Sequence, residues 1–284
     1  MELLHTSLRF SWRFRPIFNL RTLVREPLKG SAYMPVVKLD SASFWYGRNP
    51  IIQDMDLVLE RGITGVLGPN GAGKTTLIRL LALDMRPKRG SVVINGTPVD
   101  DETQARKCRR HIGYLPQRFE VMNLKTVQAN VEFAAWAHGV SAAACNKAAA
   151  DALAKVGLSD RANSRAFTLS GGMRQRLGLA CVIVHQPDIL ILDEPTVGID
   201  PVQRSQMRRL LRDLASDSAI LLSTHLVDDV AHICDRVLII NHGVVEFDGT
   251  IPTLEQIGNH RQHRDIHASA AENGYLEIME NYAS

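Results

Sequence analysis

Residues 68–75 read Gly68-Pro69-Asn70-Gly71-Ala72-Gly73-Lys74-Thr75, a full match to GxxxxGK[ST], and no other stretch restricts the fold of the chain so strongly. The match lies between an apolar strand-like run at 63–67 and an apolar helix-like run at 76–83, the strand–turn–helix context the pattern requires. Its glycines let successive backbone N–H groups turn inward around phosphate oxygens, and the helix brings its positive end to the same place. Lys74 supplies a mobile ammonium for β- and γ-phosphates, and the Thr75 hydroxyl is suited to Mg²⁺. Thr76, which opens the helix, is grouped with the phosphate-binding residues. A plain glycine-rich turn would need neither the lysine nor the flanking elements.

A second half of a nucleotide site stands at Ile189-Leu190-Ile191-Leu192-Asp193-Glu194, an apolar strand ending in two carboxylates. Asp193, at the strand end, can reach Mg²⁺ directly or through water. Glu194, one residue further, can accept a proton from an attacking water. Other strand-like runs occur at 36–44, 55–59, 219–222 and 237–240, with helical stretches between the later ones, which predicts a mostly parallel sheet with crossover helices. Between about 118 and 168 the pattern becomes helical. Val127, Val131, Ala134 and Ala135 recur at helix spacing, and 142–156 is rich in alanine and poor in β-branched residues, so a helical subdomain is expected as an insertion in the α/β core.

The remaining features mostly exclude. Residues 1–33 hold six Lys/Arg against two Glu, with aromatics and no clean period, and are read as a basic, disordered extension; Arg13, Arg15 and Arg21 interrupt any secretory apolar core. The rest of the chain holds 27 Lys/Arg against 28 Asp/Glu, so no nucleic-acid partner is expected. Apolar runs such as 189–192 and 237–240 fall far short of the roughly 18 residues needed to span a bilayer. Cys108, Cys145, Cys181 and Cys234 form no CxxC pair, which fits a reducing, cytoplasmic setting. Beyond 257 the chain is read as a polar C-terminal tail, 258–284. His260, His263 and His267 would share a face on a helix, but the segment is read as lacking a helix-start signal, so they are expected to face water.

Upstream of the second strand lies Leu169-Ser170-Gly171-Gly172-Met173, followed by an apolar helix-like run at 177–184. A small hydroxyl and bare backbone N–H groups at a positive helix end make a second anion site. With these residues, the chain over roughly 36–255 resembles the nucleotide-binding domain of ABC transporters, whose signature is LSGG. Further motifs agree in order: Gln117 in Tyr114-Leu-Pro-Gln117 resembles the Q-loop glutamine, Val197-Gly-Ile-Asp200 the D-loop, and His225 in Ser223-Thr-His225 the switch histidine. Tyr46 resembles the aromatic that stacks on adenine, with Trp45 as the alternative. Met173 departs from the family's usual glutamine, with modest effects expected.

The resemblance implies a P-loop NTPase core with an N-terminal antiparallel β subdomain and an inserted α-helical subdomain, all within a cassette at 34–257. It implies ATP and Mg²⁺ as ligands, Glu194, His225 and Gln117 as catalytic groups, and Thr75, Gln117 and Asp193 around the metal. Ser170, Gly171, Gly172 and Asp200 would close over ATP held by a second cassette, so that a homodimer has two equivalent sites. The function implied is the ATPase subunit of a transporter, with integral membrane permease subunits as partners, bound at the cytoplasmic face. The runs Tyr114-Leu-Pro-Gln117 and 193–201 look most like exporter ATPases. A soluble cassette ATPase without a permease is the alternative.

Overall fold

The computed structural model describes residues 36–261 and 265–281; the extension at 1–33 lies outside the described residues. The strand before the P-loop, β3 (Gly62–Leu67), stands inside a six-stranded sheet, with β6 (Ile112–Leu115), β7 (Ile189–Asp193), β8 (Ala219–Ser223), β9 (Arg236–Asn241) and β10 (Val244–Thr250). The strand order is β10-β9-β3-β8-β7-β6, parallel throughout except for β10 against β9. A second sheet, ordered β2-β1-β4-β5, is antiparallel and is built from β1 (Val37–Tyr46), β2 (Asn49–Leu59), β4 (Arg89–Ile94) and β5 (Thr97–Pro98).

The large sheet reads as continuous apolar runs because both of its faces are covered. Alternate residues divide between two cores. Ile189, Ile191, Leu221 and Leu238 pack toward the antiparallel sheet and α1 (Lys74–Leu81), while Leu190, Leu192, Leu222 and Val237 pack toward the other helices. Between β5 and β6, α2 (Glu102–Cys108) starts with a capping box formed by Asp101 and Gln104.

The expected helical insertion consists of α3 (Val127–Ala137), capped by the Thr126 hydroxyl, and α4 (Ala142–Lys155). Val127, Val131, Ala135, Ala149, Ala152 and Leu153 are buried and join the core around α5 (Gly171–Ile183). The helix predicted at 177–184 therefore starts six residues earlier, with Ser170 as its N-cap. The helix after the P-loop likewise begins at Lys74 rather than at Thr76. Three more helices follow strands of the large sheet: α6 (Pro201–Leu214), α7 (Val227–Ile233) and α8 (Ile251–His260).

The polar tail is corrected by a further helix, α9 (Ala270–Asn281), which packs on α8 and α7. Its start signal is Ser269-Ala-Ala-Glu272. Ser269 Oγ accepts the Glu272 N–H at 3.2 Å, and the Glu272 carboxylate accepts the Ser269 N–H at 2.8 Å, a reciprocal capping box. Asn273 is fully buried; its amide donates to the carbonyls of Asp265, Ala268 and Ser269. His260 ends α8 and His267 precedes α9, so those two share no helix face, and His263 lies outside the described residues.

Candidate functional site

Parallel strands end at one edge of the large sheet, the edge where open α/β sheets hold ligands. The P-loop follows β3, Gln117 follows β6, Glu194 follows β7, and Thr224 and His225 follow β8. Register aligns these ends, since Ser223 pairs with both Asp193 and Val66. A cleft of roughly 290 Å³ opens there, lined by P-loop residues Asn70, Gly71, Gly73, Lys74 and Thr75, by Thr76, and by Gln117, Asp193 and Glu194.

The loop holds its shape for reasons local to its glycines. Gly68 and Gly73 have φ of 152° and 103°, and a side chain at either would meet backbone: the Ile240 carbonyl at 2.2 Å or the Ile51 carbonyl at 2.9 Å. Ala72 is buried, with its N–H on the Pro69 carbonyl at 3.2 Å. Lys74 Nζ donates to the carbonyls of Gly68 at 2.7 Å and Pro69 at 3.0 Å. Burial lowers its pKa, and the carboxylates of Glu194 and Asp193 oppose that shift. The ammonium therefore faces two anionic groups across the cleft, with only neutral oxygens as direct partners.

Asp193 is buried and accepts from the Ser223 hydroxyl. Glu194 sits at φ 54°, a left-handed conformation that costs a non-glycine residue about 1–3 kcal/mol. Its N–H donates to the Ser223 carbonyl and to Ser223 Oγ, both at 3.1 Å, so one serine fixes both carboxylate residues. The His225 Nδ1 lies 3.1 Å from both carboxylate oxygens of Glu194. The Thr75 hydroxyl, the Asp193 carboxylate and the Gln117 amide form an all-oxygen donor set around the cleft, which suits a hard cation such as Mg²⁺.

Other sequence-selected residues lie outside this cleft. Ser170 is exposed, its Oγ accepting the Met173 N–H at 3.3 Å. Gly171 faces the D-loop, 4.0 Å from a built side-chain carbon to the Gly198 carbonyl, and any side chain at Gly172 would strike the Gln203 amide. Asp200 caps α6 by accepting the Gln203 N–H at 2.9 Å. Signature and D-loop thus adjoin within one chain, away from its own P-loop cleft. Met173 packs its side chain against the core. Tyr46 closes β1 opposite Asn49, two residues before the cleft-lining Ile51, and the residue is 49% exposed. The ring of Trp45 instead lies under Lys88 and Arg89, at 5.2 and 5.9 Å.

Two positions that shape the candidate site carry no motif in the sequence. Ile51 reaches the cleft from the other sheet, a long-range placement without a local signal. Ser223 lies inside the quoted Ser223-Thr-His225 run, where an apolar strand ending in a hydroxyl was the available signal.

The family model described as ABC transporter matches residues 52–197. The linearmycin resistance ATP-binding protein LnrL of Bacillus subtilis is 33% identical over 207 residues, covering 72% of this chain and 66% of its own length. The methionine import ATP-binding protein MetN 3 of Oceanobacillus iheyensis is 37% identical over 216 residues, covering 74% of this chain and 63% of its own. The chain thus spans just under two thirds of these curated relatives. The dimeric post-hydrolysis structure of the ATP-binding cassette MJ0796, bound to ADP and Pi, superimposes with a TM-score of 0.68 at 25% identity, covering 76% of this chain and 98% of that one.

Proposed function

The chain belongs to the ABC transporter family, and from that premise we propose that it is an ATP-hydrolysing subunit that energises transport through separately encoded membrane-spanning permeases. The observation that carries this reading is the meeting of Lys74, Gln117, Asp193 and Glu194 with the P-loop in one cleft. The phosphates of ATP rest on the backbone of 68–76. Lys74 exchanges the carbonyls of Gly68 and Pro69 for β- and γ-phosphate oxygens, and Tyr46 stacks on adenine. Thr75, Asp193 and Gln117 would hold Mg²⁺, which would supply positive charge against the negative charge that develops on the phosphates. Glu194 takes the proton of the attacking water on its carboxylate. His225, hydrogen-bonded to that carboxylate through Nδ1, holds it in place and faces the γ-phosphate side.

Ser170, Gly171, Gly172 and Asp200 serve the ATP of a second copy, because they adjoin one another outside the chain's own cleft. The ATP-binding cassette MJ0796, to which the chain is similar, is dimeric with ADP and Pi bound, which supports pairing of two copies. Among the described residues no helix is long and apolar enough to cross a membrane, which suits a subunit that docks on a permease at the cytoplasmic face. Export is the proposed direction. It rests on Tyr114-Leu-Pro-Gln117 and the run at 193–201, since the relatives include both a resistance protein and an import protein.

Glu194→Gln keeps size and hydrogen bonding but cannot take a proton. Its turnover should fall by at least about 10²-fold with ATP binding intact. Wild-type turnover in that variant removes the catalytic assignment. Affinity capture of the intact chain from detergent-solubilised membranes should bring a polytopic membrane protein with it; recovery of the chain without one removes the permease from the proposal.

A further inference from the structure

Outside the cleft, one buried ionic cluster joins the three elements that carry cleft and D-loop residues. Asp229, 1% exposed, accepts the Thr196 hydroxyl on Oδ2 at 2.6 Å and the Arg208 guanidinium on Oδ1, with Nε at 3.1 Å and Nη2 also in contact. Thr196 is itself buried and stands two residues after Glu194. Arg208 lies two turns into α6, whose N-cap is Asp200. Asp229 is in the first turn of α7, four residues after His225. One turn beyond Arg208, Arg212 donates to the His232 carbonyl at the other end of α7, so both ends of α7 are tied to the second half of α6.

A buried carboxylate is costly unless its oxygens are satisfied, and here the two oxygens are divided between the Glu194 loop and α6. A shift of α7 against either neighbour would strand one of them. Satisfied polar networks of this kind hold their elements in a single arrangement. The arrangement is discrete, and both ends of it carry proposed active groups: Glu194 and Asp200 on one side, His225 on the other.

We propose that Asp229 is a positioning residue that fixes Glu194 and His225 relative to each other and passes a displacement of Asp200 to both. The inference rests on the role proposed above for Glu194. Movement of Asp200, where a second copy would close, carries α6 with it. Arg208 then pulls on Asp229, α7 follows, and Thr196 reports the same displacement to the loop behind Glu194. Asp229 touches no part of the cleft, so its effect should fall on turnover and leave nucleotide binding alone.

The test uses the full chain, with ATP hydrolysis measured against ATP concentration and binding read separately with a fluorescent, non-hydrolysable ATP analogue. Asp229→Asn should lower kcat on the order of 10-fold, as loss of a supporting residue does, with analogue affinity unchanged. Thr196→Val should lower kcat in the same way, while Thr196→Ser, which keeps the hydroxyl, should stay near wild type; this pair carries the test if Asp229→Asn fails to fold. Adding Asp229→Asn to Glu194→Gln should cost nothing further, because the first change acts through the group the second removes. Unchanged kcat in Asp229→Asn, equal losses of kcat and analogue affinity, or multiplied losses in the double variant would each overturn the inference. A wild-type chain that hydrolyses no ATP would instead overturn the functional reading beneath it.

Discussion

Lys74 is held by two carbonyls of its own loop, and burial leaves its ammonium short of solvent. Phosphate oxygens would be charged partners in place of neutral ones, and charge-assisted hydrogen bonds are roughly twice as strong. Lys74→Ala should therefore weaken ATP binding by about 10- to 100-fold, the equivalent of 1.5–3 kcal/mol, and lower turnover with it. Titration with ATP checks this, and unchanged affinity would remove Lys74 from the phosphate site. The fold should persist, since the side chain supports no core. At this scale the sequence was most readable where chemistry forces a residue type into a fixed local spacing. Asn70, Gly71, Gly73, Lys74, Thr75, Asp193 and Glu194 follow from such spacing and line the cleft, where Gln117, supplied by the family resemblance, joins them. Ile51 and Ser223 follow from neither. Ile51 arrives through pairing of distant strands, and the Ser223 hydroxyl acquires its partners only from the register of β7 with β8. The left-handed Glu194 likewise has no sequence signature, because nothing in its side chain favours φ 54°.

Among the elements, the strands of the large sheet were legible because burial on both faces writes them as unbroken apolar runs. The antiparallel sheet was less so. In β1 and β2 the pairing is interrupted by bulges, and Asp54 turns to φ 46°, so the alternation that marks a half-buried strand is broken within 49–59. The α9 start was legible and overlooked, since Ser269 and Glu272 have capping-box spacing. A further element contact has a pH signature. His138 caps α3 and stacks on His185, with ring centroids 3.8 Å apart and planes within 2°, and His185 Nε2 faces the Ile112 carbonyl of β6. Burial, then the neighbouring His138, pushes the His185 pKa down to about 4, against the pull of that carbonyl. An unfolded histidine titrates near 6.5. Between those two values the unfolded chain binds a proton that the folded chain refuses, so this site's stability is fully present above about pH 6.5 and falls as pH drops toward 4. Allowing for the part-exposed ring, the loss should be about 1–2 kcal/mol across that window. His185→Phe keeps a stacking ring and removes the titration. Urea midpoints at pH 7 and pH 5 should differ less in the variant than in the wild type, whatever constant cost the lost Ile112 contact adds. An equal difference in both proteins would assign the acid sensitivity elsewhere.

On the scale of the whole molecule, the chain presents two helix starts proposed above to bind phosphate, and they do not face one another. The P-loop and the start of α1 border the cleft, whereas Ser170 and the start of α5 lie exposed beside the D-loop. On the proposed reading one copy offers half of each of two sites, which pairing head to tail would complete. Ser170→Arg separates this arrangement from a single-chain pocket. The substitution removes an N-cap hydrogen bond to Met173, at a cost of about 1 kcal/mol, small against the stability of a domain this size. The folded monomer should then bind ATP as the wild type does, through 68–75. Its long guanidinium side chain would occupy the space that the second copy's γ-phosphate needs. Placed in the Glu194→Gln background, which should hold ATP and accumulate the dimer, Ser170→Arg should abolish the ATP-dependent shift in size on a gel-filtration column. Full dimerisation by the double variant would show that Ser170 does not stand at the subunit boundary. Loss of ATP binding by the Ser170→Arg monomer would place the serine in its own chain's pocket, and in either case the composite site fails.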